Sequence, residues 1–152
     1  MFGRSWAEYL GFQKVFLALI LVVGLARLGL SLAGLPDSSV RWVSMNVPLW
    51  LGTFYCGVAA HRTGFGGYRQ LLPLVFVQLL PLHAVALLGI ALAAAGRPNI
   101  LAAPEYGGQV GHALHAAAHL TLGLVIPSLL LWGVAALTLR ITRSLAERPT
   151  PS

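Results

Sequence analysis

The chain has 152 residues, of which 57% are hydrophobic and 9% are charged, and its mean hydropathy is +0.79. Soluble domains carry about 25% charged residues, so this composition excludes a water-soluble globular protein. The formal net charge of +6 is explained by cations that flank membrane helices and meet anionic lipid, and it does not indicate a nucleic-acid partner. At this length we expect one membrane domain over residues 1–152.

Residues 1–14 place three aromatic side chains, Trp6, Tyr9 and Phe12, beside a few charges, which is typical of an anchor at the membrane interface. A cleavable signal peptide is the alternative interpretation. It fits less well, because the apolar run that follows, residues 15–35, is longer than the apolar region of a signal peptide.

Four apolar segments predict four transmembrane helices, because about 20 apolar residues match the hydrocarbon core at about 1.5 Å per residue. The third segment contains no charge, and the second is the least apolar. We therefore predict an all-α fold, a polytopic membrane protein whose four transmembrane helices form a bundle. The segments cover about residues 15–35, 43–60, 71–95 and 113–139.

The last helix is predicted to begin near Gln109 and to end at about Arg143. Pro127 lies inside it, so we expect a kink there that Thr121 or Ser128 relieves by bonding to freed backbone groups. The polar tail after it is predicted to be disordered.

The charges outside the spans predict the direction of the bundle. Four spans place both termini on the same side, and the cations are concentrated there. By the positive-inside rule we expect both termini to be cytoplasmic, in a bacterial inner (plasma) membrane. The seven cations on the terminal side are Arg4, Lys14, Arg62, Arg69, Arg140, Arg143 and Arg148, against Arg41 and Arg97 on the other.

Polar residues inside a span are costly, so each is a functional candidate. On straight helices centred in the bilayer, His83 lies at the centre and Arg27 about 3 Å outward. Asn46 lies about 8 Å outward and Gln78 about 7 Å inward. We predict a polar intramembrane cluster of Arg27, Asn46, Gln78 and His83. No Asp or Glu lies within a span to neutralise Arg27, so it either meets a bound anion or a partner, or snorkels towards the interface.

A cofactor site is one interpretation of His83, His119 and Arg27, in which two imidazoles ligate haem b or the three residues bind a quinone. On straight helices the two histidines differ in depth by about 10 Å, which strains a bis-histidine haem. Helix tilt reduces that difference. The alternative for His83 is a neutral imidazole hydrogen-bonded to a neighbouring helix.

His112, His115 and His119 fall on one face of the last helix, and His115 and His119 have the i,i+4 spacing by which helices chelate zinc. We predict a metal site of these three histidines, with Glu105 as a further ligand. Structural histidines and a pH sensor are the alternatives. The glutamate of the HExxH zinc-protease motif is absent, so that enzyme class is not supported.

Our leading functional hypothesis is a non-catalytic accessory subunit of a larger membrane assembly, or a small homo-oligomer. Its grounds are the absence of catalytic motifs, the apparently unpaired Arg27 and the small mass outside the membrane. The expected partners are the lipid bilayer and other membrane subunits or a second copy. Gly29 and Ala33, four residues apart, predict close helix packing. The alternatives are a haem b- or quinone-binding subunit of an electron-transfer complex, and a proton or ion conduit.

Overall fold

The computed structural model describes residues 2–147, which form helices joined by short connections. This part of the chain contains no strand, so the all-α prediction is confirmed. In chain order the helical elements are α1 Trp6–Leu32, α2 Asp37–Val40, α3 Asn46–Arg62, α4 Tyr68–Ala94, a 3-10 turn Pro104–Tyr106, α5 Gly108–Leu120 and α6 Leu122–Ala146.

Three helical segments of the described chain are long and apolar enough to cross a membrane: Trp6–Leu32, Tyr68–Ala94 and Gly108–Ala146, which joins α5 and α6. The predicted span 43–60 corresponds to α3, which is a helix of 17 residues and is not among the three. The fold is therefore that of a helical protein compatible with a membrane. A fourth span, and the direction in which the bundle faces, stay predictions.

Helix α1 begins nine residues before the predicted span, because Ser5 and Glu8 form a capping box. The Glu8 backbone N–H donates to the Ser5 hydroxyl at 3.3 Å, and the Ser5 N–H donates to the Glu8 carboxylate at 2.7 Å. The predicted interfacial lead-in is thus the first part of α1. The helix departs from helical dihedral angles at Gln13, with φ −126° and ψ 19°.

Helix α4 lies at the centre of the bundle and contacts α1, α3, α5 and α6. In its most apolar 18-residue window 56% of the residues are buried, against 17% for the corresponding windows of α1 and of α5 with α6. A helix that is apolar all round is stable only when its whole surface is covered by protein or lipid. Protein covers most of α4, while α1 and α6 keep apolar faces open.

The last long helix is broken at Thr121, which has φ −111° and ψ −90°. The break lies six residues before Pro127, where the sequence predicted the kink. Pro127 has no N–H to donate to the Gly123 carbonyl, but Gly123 lies inside α6 and the break is two residues before it. The Thr121 hydroxyl donates to the Ala117 carbonyl at 2.8 Å, but this carbonyl also accepts the Thr121 N–H at 3.0 Å and is not the one that Pro127 frees, so the predicted relief of the kink by Thr121 stays a prediction.

The connections define two ends of the bundle. At the terminal end, Nε of Arg4 donates to the Phe65 carbonyl at 3.1 Å, and the Arg143 guanidinium lies 5.3 Å from the centre of the Tyr68 ring. At the loop end, the Ile100 N–H donates to the Ser31 hydroxyl at 3.0 Å. Of the predicted cations of the terminal side, Arg62 is the last residue of α3, Arg69 is the second of α4, and Arg140 and Arg143 lie in the last turns of α6. Arg148 and the tail after it, predicted to be disordered, lie outside the described residues.

Candidate functional site

Four polar side chains form an interior network between α1, α3 and α4: Gln13, Thr53, Cys56 and Gln78. Nε2 of Gln13 donates to the Leu74 carbonyl at 2.8 Å. The Cys56 thiol donates to Oε1 of Gln13 at 3.7 Å and accepts from Nε2 of Gln78 at 3.8 Å. The Thr53 hydroxyl lies 3.3 Å from Oε1 of Gln78. Because buried polar groups in a membrane bundle bond across helices, this network holds three helices together.

The predicted cluster of Arg27, Asn46, Gln78 and His83 is not assembled in the structure. Gln78 belongs to the interior network, and Asn46 is the exposed first residue of α3. Gln78 and His83 are five residues apart on α4, which places them roughly 140° apart around the helix. The conduit hypothesis therefore has no contiguous row of these four side chains to support it.

Arg27 has an acidic partner, so the expectation that it is unpaired was wrong. Its Nη2 lies 2.9 Å from Oδ1 of Asp37, the first residue of α2. Asp37 lies outside the predicted spans, just after the end of α1, and the chain turns back there towards Arg27. The Arg27 side chain is 22% exposed and that of Asp37 is 61% exposed, so the pair lies at the boundary between the bundle and its surroundings.

A cavity of about 670 Å³ lies beside this ion pair at the loop end. We call it the loop-end cavity. Its walls come from α1, from the end of α4, from residues 98–104 and from the start of α5. The polar residues that line it are Arg27, Ser31, Asp37, Asn99 and His112.

His83 lies in the interior of α4 with 5% of its surface exposed. Its Nδ1 lies 2.9 Å from the Leu79 carbonyl. Since a carbonyl only accepts, we assign the ring proton to Nδ1, which leaves Nε2 with a free lone pair. Nε2 faces α6 closely enough that a Cβ on Gly123 would lie 3.0 Å from it.

The structure brings His83 and His119 together, although straight helices predicted a depth difference of about 10 Å. The centres of the two rings are 5.3 Å apart, and the rings of His115 and His119 are 5.0 Å apart. Tyr106 stacks on His115 with ring centres 4.7 Å apart. We call His83, His115 and His119 the imidazole cluster.

The imidazole cluster does not fit a bis-histidine haem. Two axial imidazoles on opposite sides of one iron have ring centres roughly 6 Å apart, with the porphyrin plane between them. His83 and His119 touch edge to face at 5.3 Å with an interplanar angle of 77°, which leaves no space for a macrocycle. Arg27 lies by the loop-end cavity and not beside these rings. The haem b interpretation through His83 and His119 therefore receives no support.

His112 lies away from the other two histidines of α5. It lines the loop-end cavity, whereas His115 and His119 line a separate cavity of about 320 Å³ together with Glu105. Within residues 2–147 no three His, Cys, Asp or Glu side chains are placed to hold one metal ion as they stand. The metal site of His112, His115 and His119 stays a prediction, and the contacts favour His83 over His112 as the third member.

Three residues of these sites, Asp37, Gln13 and Tyr106, were not predicted from the sequence. Asp37 has a signal, because it is an acidic group ten residues after Arg27. Gln13 was assigned to the lead-in, although α1 is already helical there. Tyr106 gave no pattern that points to the stacking on His115, because that contact depends on how the 3-10 turn folds over α5.

Comparison with known proteins adds no assignment: no family model, no curated protein and no solved structure matches this chain.

Proposed function

We propose that this protein is a non-catalytic subunit that packs against another membrane protein through the exposed face of α1. The observation that carries the proposal is the contrast in burial between α4 and the outer helices. Gln13, Cys56 and Gln78 are bonded to one another across α1, α3 and α4, which makes this part of the interior a scaffold. The outer face of α1 is apolar and contains Gly29, where a Cβ would meet nothing within 4 Å. A small residue on an open helix face permits close approach of a partner helix.

Gly29→Leu is expected to weaken the retention of a stoichiometric partner about tenfold, because a large side chain on the face holds the two helices apart. The measurement is native mass spectrometry of the full chain, purified in mild detergent from the membranes that make it. Gly133→Leu on α6, where a Cβ also meets nothing within 4 Å, is the control and should retain the partner. A complex whose mass is a multiple of 16.1 kDa would show that the partner is a second copy of this chain. A monomer in every preparation would contradict the proposal.

A second candidate function is binding of a transition-metal ion by the imidazole cluster. Two imidazoles on one tetrahedral ion at about 2.0–2.1 Å have ring centres roughly 5 Å apart, and the two neighbouring pairs of the cluster are at 5.3 and 5.0 Å. Imidazole suits zinc, copper and nickel. His83 and His119 would need side-chain rotation to direct their nitrogens at one ion, and His115 would leave its stack on Tyr106.

We expect the purified chain to bind Co²⁺ with the visible bands of tetrahedral nitrogen ligation, and His119→Ala to weaken that binding at least about tenfold. His119 is chosen because it contacts both of the other rings. His112→Ala is the matched control on the same helix and should leave the titration unchanged. Equal loss in the two variants would favour the set His112, His115 and His119, and no bands at all would reject metal binding.

A further inference from the structure

The loop-end cavity contains two opposite charges whose bonding capacity is only partly used. Arg27 has five N–H donors and uses Nη2 on Asp37, while its Nε is buried without a hydrogen-bond partner. Nδ1 of His112, another lining residue, is also buried without a partner. Asp37 bonds to Arg27 through one carboxylate oxygen and keeps most of its surface open. The open Asp37 carboxylate is directly available to a ligand, whereas the unpartnered nitrogens of Arg27 and His112 are covered and would reach a ligand after rotation of their side chains.

The other polar residues of the loop-end cavity, Asn99 and Ser31, form hydrogen bonds with backbone groups. Nδ2 of Asn99 donates to the Gly89 carbonyl at 2.8 Å, and its Oδ1 accepts from the Leu101 N–H at 3.1 Å. The Ser31 hydroxyl accepts from Ile100. These bonds hold residues 95–107 against α1 and α4, so they form the wall of the cavity and leave recognition to Arg27, Asp37 and His112.

The charges select a ligand class. An anion alone would meet the Asp37 carboxylate, and a cation alone would meet the Arg27 guanidinium, so a ligand with both charges a few atoms apart fits the pair. The volume of about 670 Å³ lies within the range of about 300–1,000 Å³ for small-molecule pockets. Arg27 is five residues before the end of α1, about 8 Å along the helix axis from its loop-end terminus.

We propose that the loop-end cavity binds a phosphate–ammonium zwitterion, with the phosphate on Arg27 and His112 and the ammonium on Asp37. A primary ammonium donates hydrogen bonds to a carboxylate, whereas a quaternary one has no N–H to donate. The cavity therefore prefers an aminoethyl phosphate headgroup over a choline headgroup. Two sources supply this chemistry: a phosphatidylethanolamine of the bilayer and a free aminoalkyl phosphate.

The first experiment is native mass spectrometry of the full chain released from nanodiscs that contain equal amounts of phosphatidylethanolamine and phosphatidylcholine. The wild type should retain the ethanolamine lipid in excess. Asp37→Asn should lower the ratio of the two retained lipids about tenfold, whereas Arg27→Gln, which removes the phosphate contact that both lipids share, should lower the retention of both about tenfold. Arg41→Gln is the matched control, because Arg41 stacks on Trp42 near the same end and does not line the cavity. Asp37→Glu keeps the carboxylate and should keep the preference, which separates recognition from a folding defect.

A second arm identifies the source of the ligand. Soluble phosphoethanolamine is added to the detergent-purified wild type and the thermal unfolding midpoint is measured. An increase that Asp37→Asn abolishes indicates a free zwitterion, whereas lipid preference without such an increase indicates the bilayer. Equal retention of the two lipids by the wild type, together with no effect of phosphoethanolamine, would overturn the proposal. So would an Arg27→Gln protein that matches the wild type in both arms.

Discussion

Gly57→Ala is expected to destabilise the protein by about 1–3 kcal/mol, one of the two largest effects that we predict for a single substitution. Gly57 lies where α3 packs directly on α6. A Cβ at this position would lie 2.6 Å from the Ala135 carbonyl oxygen and 2.6 Å from Cβ of Thr138. One of these atoms belongs to the backbone, so the contact is relieved only when the two helices move apart. The measurement is the free energy of unfolding in mixed detergent micelles, followed by circular dichroism.

Gly133→Ala on α6 is the control for this prediction. A Cβ there meets nothing within 4 Å, and Ala is a better helix former than Gly by about 0.8–1.0 kcal/mol. This variant should be as stable as the wild type or more stable. If Gly57→Ala behaved in the same way, the close approach of α3 and α6 would be refuted.

Gln13→Ala is expected to lower the free energy of unfolding by about 2–3 kcal/mol. The side chain is buried, and it bonds to the Leu74 carbonyl and to the Cys56 thiol. Truncation removes both bonds and leaves a cavity at the point where α1 departs from helical geometry. The same unfolding measurement applies, and fluorescence quenching by lipid-soluble probes would report any loosening of α1 from α4.

Two further variants separate the causes of this loss. Gln109→Ala removes an exposed amide that donates to the Ala94 carbonyl at 3.0 Å, and it should change stability by no more than about 0.5 kcal/mol. Gln13→Leu restores most of the volume without the hydrogen bonds, so its stability should lie between those of Gln13→Ala and the wild type. A Gln13→Ala protein as stable as Gln109→Ala would show that the interior network does not hold the helices together.

The long helices could be predicted because an apolar run is a local property of the chain. The segment 71–95 became α4, Tyr68–Ala94, and the segment 15–35 became the larger part of α1. The capping box of Ser5 and Glu8 was readable from the same sequence, and it would have moved the start of α1 to Trp6. The predicted span 43–60 shows the limit of the method, since composition indicates a helix there but does not decide whether it crosses.

Contacts between elements could not be predicted from helix midpoints. The depths predicted for His83 and His119 hold only if the spans are centred at the same level. The segment Gly108–Ala146 has 39 residues and α4 has 27. The last residue of α4, Ala94, and the start of the segment Gly108–Ala146 lie level at the loop end, where the Gln109 side chain donates to the Ala94 carbonyl. The surplus length therefore lies at the terminal end, which brings His119 level with His83. The Arg27–Asp37 pair likewise depends on the turn after α1, which the span pattern does not contain.

The central position of α4 has a consequence for the order in which the chain enters a membrane. Helix α1 has a mean hydropathy of 2.4 in its most apolar window, enough to partition into lipid as soon as it is synthesised. Helix α3 is shorter, carries Thr53 in its interior, and is completed before α4 exists. Gln78 of α4, which bonds to the Thr53 hydroxyl and the Cys56 thiol of α3, is synthesised only after the short connection 63–67. If the predicted span 43–60 does cross the membrane, its stable integration is coupled to the synthesis of α4, and α3 and α4 would enter the bilayer together as a hairpin.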